Sequence, residues 1–95
     1  MSSMSKRERA LNYAERLQSA RNKNEEAEKI LKELNGLVWA KDNTSLPRED
    51  KLAILEETKS IIQEGLEIRE GKILHKAADN SGILDVIDML KPKVK

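Results

Sequence analysis

The chain has 95 residues, about one domain, with 38% apolar and 37% charged residues and only two aromatics, Tyr13 and Trp39. With no cysteine and a single histidine, disulfide frameworks, thiolate chemistry, iron–sulfur and zinc-knuckle sites and multi-histidine metal centres are excluded. The formal net charge of +1 is unevenly spread. Residues 1–24 hold six cations against two anions, 25–34 hold four Glu against two Lys, and 48–72 hold seven acids against five bases. A basic first third therefore precedes an acidic middle, and the simplest use of that pattern is pairing of the two when the chain folds back.

In chain order, the first predicted element is a helix over about 5–41. Ala10, Leu17, Asn24, Leu31 and Val38 are seven apart, and Tyr13, Ala20, Ala27 and Leu34 follow the first four of them by three. That 3,4 alternation is the signature of a coiled coil or long helical hairpin. Ser5 and Glu8 have capping-box spacing. Asn22 and Glu25 have it too, so a second arrangement stays open, in which the segment is two short helices and the chain a compact four-helix bundle monomer.

A polar turn ending in Pro47 opens a second helix over about 47–78, with Glu49 and Asp50 placed to complement its dipole. Its apolar residues form two stripes, Leu52–Leu55–Ile62–Leu66–Ile73 and Ile54–Ile61–Ile68, wider than a two-helix seam needs. No stretch sustains the alternation of a strand. A third helix over about 82–91 is very apolar and is stopped by Pro92. The expected fold is all-α: a single domain, a long antiparallel helical hairpin with a short third helix. That third helix is too short to cover the hairpin, so the leftover stripe is expected to face a second copy, making a homo-oligomer.

Chemistry is sparse. His75 and Asp79 are four apart but lack a nucleophile other than Ser81, which suits a helix cap better. The glutamate clusters lack the Glu-x-x-His partner of di-iron bundles, and the four glycines are scattered rather than gathered in a phosphate loop. No enzyme activity, cofactor, metal or small-molecule substrate is expected. No apolar run approaches the ~20 residues of a spanning helix, residues 1–9 carry no apolar signal core, and a cytoplasmic location is the expectation.

The expected function is a non-enzymatic protein–protein interaction module, an adaptor, regulator or inhibitor that pairs with itself and with another protein. Its candidate interface is Tyr13, Leu17, Asn24, Trp39, Ile54, Ile61 and Ile68. Asn24 enters as a polar residue in an apolar seam, which can fix register. Trp39 enters because tryptophan is enriched at binding hot spots. The rival is nucleic-acid or acidic-partner binding through Lys6, Arg7, Arg9 and Arg16; no groove-reading motif or stacking aromatic accompanies them. In size, cysteine-free composition and the four-helix arrangement, the chain is similar to immunity proteins against small bacteriocins. That resemblance is architectural, and it implies a compact helical bundle that neutralises a toxin.

Overall fold

The computed structural model describes residues 5–38, 44–64, 67–70, 72–74 and 81–95. Their elements are α1 (Lys6–Ser19), α2 (Lys23–Asn35), α3 (Arg48–Gln63), strands β1 (Glu67–Arg69) and β2 (Lys72–Leu74), α4 (Ser81–Leu90) and a 3-10 turn over Lys91–Lys93. The fold is mostly helical and compact, with a longest extent of 40 Å.

The single helix expected over 5–41 is instead two. Ala20 is extended (ψ 139°) and Asn22 caps α2, its side-chain oxygen accepting from the Glu25 amide at 3.1 Å. Lys23 closes the other side of the break, donating to the carbonyls of Gln18 (3.0 Å) and Ala20 (2.9 Å), which α1 leaves without helical partners. A continuous helix of that length would run ~55 Å, beyond the 40 Å of the whole fold; broken, the segment buries Ala10, Tyr13, Leu17, Ala27, Ile30 and Leu34 while Asn24 stays exposed. Ser5 caps α1, its hydroxyl accepting from the Glu8 amide at 3.1 Å.

α1 packs on α3 and α2 on α4, with α1–α2 and α3–α4 contacts closing the bundle. Small residues Ala10 and Ala14 on α1 are fully buried, and the buried Thr58 hydroxyl of α3 donates to Ile54 O (2.8 Å) and reaches Ala10 O (3.5 Å). The core also takes in Leu17, Ile30, Leu34, Leu55, Ile62, Ile83, Ile87 and Val94.

The second helix ends at Gln63 rather than 78, and β1 and β2 form an antiparallel hairpin that pairs Ile68 with Ile73 and Arg69 with Lys72. Glu70 at its turn has φ 51°, a left-handed conformation that a helix does not contain. A lone two-stranded hairpin is marginal in water. Here α1 supports it: Gln18 accepts from the Ile68 amide (2.8 Å) and Glu15 from the Glu70 amide (2.6 Å), which covers the open edge of β1. α4 lies within one residue of the predicted 82–91 at each end.

Candidate interaction surface

Five of the seven residues expected to face a second chain are spent on the chain's own core. Tyr13, Leu17, Ile54, Ile61 and Ile68 are each at most 2% exposed. The stripe left uncovered by a two-helix hairpin is covered here, because α1 lies on α3 and β1 folds over α1. Trp39 falls outside the described residues, as do His75 and Asp79. Asn24 is exposed.

The cations expected to meet phosphates are largely matched within the chain. Lys6 pairs with Asp50 at 2.5 Å, and Arg7 pairs with Glu57. Arg16 is held by two carboxylates of α2: Glu26 accepts at 2.8 and 3.0 Å, and Glu33 at 2.6 and 3.0 Å. Its guanidinium also lies over the Tyr13 ring, 5.9 Å from the centroid. Hydrogen bonding to Glu33 raises the Arg16 pKa, and the same bond lowers that of Glu33, each against a smaller opposing effect of burial. Burial raises the pKa of the Tyr13 phenol, opposed chiefly by the neighbouring Arg9. Arg9 is half-buried beside this cluster. The basic first third thus meets the acidic middle inside one molecule.

On the other side of the bundle, α2 and α4 leave a groove of about 130 Å³ lined by Asn24, Ala27, Glu28, Val86, Met89, Leu90 and Lys93. Ala27, Val86 and Leu90 are buried, whereas Met89 is 58% exposed. A methionine held outward beside buried apolar neighbours offers a soft, adaptable contact. Asn24, Glu28 and Lys93 are exposed along the groove.

Sequence reasoning also missed a clasp on residues 93–95 built around one buried lysine. Lys51 is 4% exposed and donates to Asn35 O and Lys95 O, both at 3.2 Å. Arg48 donates to Val94 O at 2.9 Å. The Asn35 amide accepts from the Lys95 N–H (2.9 Å) and donates to Lys93 O (3.5 Å), as a neighbouring strand would. No local sequence pattern pointed there, because the contacts join residues far apart along the chain.

Among the described residues no group of three His, Cys, Asp or Glu side chains is arranged to hold a metal ion, and no helix is long and apolar enough to cross a membrane. No family model, curated protein or solved structure matches the chain.

Proposed function

We propose that this chain is a non-enzymatic protein–protein interaction module, an adaptor, regulator or inhibitor that works by presenting the α2–α4 surface. The observation that carries the reading is Met89, 58% exposed beside the buried Ile83, Val86, Ile87 and Leu90 of the same helix and bordering a groove with an apolar floor. Solvent-facing apolar groups that line a hollow are what partner sites are made of. The nucleic-acid reading is weakened by the pairing of Lys6, Arg7 and Arg16 with carboxylates of the same chain.

The test is a photo-crosslinking amino acid at position 89, with position 49 on exposed Glu49 as control. One species should be captured in cells from position 89 and not from 49. Reconstituted from purified components, its binding should be lost in Met89→Asp. Equal capture from both positions, or none, overturns the proposal. Binding of duplex or single-stranded oligonucleotides at low salt, falling steeply as salt is raised, would favour the rival instead.

An immunity-type protein is the more specific version of this reading, supported by the four short helices that the break at 20–22 creates. Expression in cells sensitive to a small bacteriocin should then protect them, and Met89→Asp should abolish the protection.

A further inference from the structure

We infer that the first partner of the α2–α4 groove is a second copy of this chain, the two copies meeting about a two-fold axis with the Met89 of each seated in the groove of the other. The inference rests on the interaction-module reading above and names its partner.

A two-fold interface requires one patch to be complementary to itself. This patch carries both a projection and a hollow. Met89 is 58% exposed and borders a groove of about 130 Å³. A dry cavity of ~150 Å³ accepts a benzene molecule, so the groove has room for one long apolar side chain. Methionine is flexible enough to fill an imperfect hollow. The floor of Ala27, Val86 and Leu90 is apolar, and small Ala27 leaves the depth.

The patch is also self-complementary in charge. Glu28 on α2 and Lys93 beyond α4 flank the groove, both exposed. Neither has an ion-pair partner among the described residues. Two charges nearby are engaged within the chain: Asp88 with Lys59 at 2.7 Å, and Lys91 with Glu56. A two-fold operation brings the Glu28 of one copy towards the Lys93 of the other, twice. A strongly acidic or basic partner would call for a rim of one sign, and this rim has both. Exposed Asn24, at the same groove, supplies an amide able to pair with its own copy across the axis and hold the register.

Analytical ultracentrifugation from about 1 µM to about 1 mM, the range of weak specific pairing, tests this on the intact chain. The average mass should climb from 10.8 kDa towards twice that value. Met89→Asp should stay monomeric throughout, with unchanged helical circular dichroism, since the replaced side chain is mostly in solvent. Glu28→Lys or Lys93→Glu alone should weaken pairing by roughly fivefold to tenfold, and the double exchange should restore it to within about threefold. A wild-type monomer at every concentration overturns the inference, and so does a dimer indifferent to Met89→Asp. If the chain stays monomeric while position 89 still captures one other protein in cells, only the self-pairing fails. If neither occurs, the interaction-module reading fails with it.

Discussion

Along α1, cations meet carboxylates at the surface; beneath residues 93–95, the buried Lys51 meets main-chain oxygens instead. Lys6 and Arg7 keep about half of their side-chain surface exposed while pairing with Asp50 and Glu57. Lys51 is 4% exposed and its acceptors are main-chain oxygens, one of them on Asn35, the last residue of α2. Exposed ion pairs contribute ~0–1 kcal/mol, because water competes for both partners and holding long side chains costs entropy. A buried ammonium has no such competitor and must be hydrogen-bonded to be tolerated at all. It also lies where the negative end of the α2 dipole favours a cation. The two groups contain the same residue types, yet the first sets how charge is distributed and the second holds a stretch of chain in place.

The largest expected effect comes from the buried side. Lys51→Met keeps the length and most of the volume but leaves Asn35 O and Lys95 O without their donor. It should lower unfolding free energy by ~2–3 kcal/mol, as for loss of a charged hydrogen-bond donor in a buried site. Urea unfolding followed by circular dichroism measures it. A loss under ~0.5 kcal/mol would mean that water replaces the ammonium without cost and that burial of Lys51 carries no special weight.

Next is Asn35→Ala, expected to cost ~1 kcal/mol for the neutral amide contacts to residues 93 and 95. Together with Lys51→Met it should be less than additive, since both act on one segment. Full additivity would show that the clasp is two separate contacts rather than a unit.

How far these features could be read from sequence varied with how local their causes are. α4 was legible because ten consecutive residues are mostly apolar and Pro92 follows them. The start of α3 was legible from Pro47, Glu49 and Asp50. The hairpin was not: Ile54, Ile61 and Ile68 keep a seven-residue spacing that suits a helix, and three-residue strands are too short to show alternation. The break at 20–22 leaves the apolar register intact, so the heptad concealed it; the Asn22 cap was the informative signal. Ile54, Ile61 and Ile68 looked like an unpartnered stripe only because a long hairpin leaves one side open. Of the candidate interface residues read from sequence, Asn24 is on the described surface; Met89 was not among them, and the packing of α4 on α2 was needed to distinguish it from its buried neighbours. The Lys51 clasp spans 16 and 44 residues of sequence, and no local pattern marks it.

A third prediction uses pH to sharpen the contrast on the surface side. The hydrogen bond from Arg16 holds the Glu33 carboxyl below its ordinary range. A depressed carboxylate stabilises the folded state fully above its unfolded pKa of ~4.3, and that contribution is lost as pH falls through the lower folded value. Glu33→Gln should therefore be less stable than wild type by ~0.5–1 kcal/mol near neutrality. The gap should close as pH falls below ~4. A gap unchanged at low pH would place the effect in packing rather than charge. The Tyr13 phenol has the opposite sign: its pKa is raised by burial, so its contribution is present below ~10 and is lost as pH rises through the folded value.

The smallest effect is expected in the basic run that carried the rival reading. Arg7 belongs to the basic run that suggested a phosphate-binding arm, and in the fold it pairs with half-buried Glu57. Arg7→Ala should change stability by less than ~0.5 kcal/mol. Whatever loss remains should vanish near 1 M salt, where the Debye length is ~3 Å. A cost above ~1 kcal/mol that persists in high salt would mean the arginine acts through its aliphatic stem, lying along α3 as packing. That outcome would move Arg7 from the solvated side of the comparison towards Lys51. It would also show that the charge pattern of the first third is fixed by the fold's own needs rather than held free for a ligand.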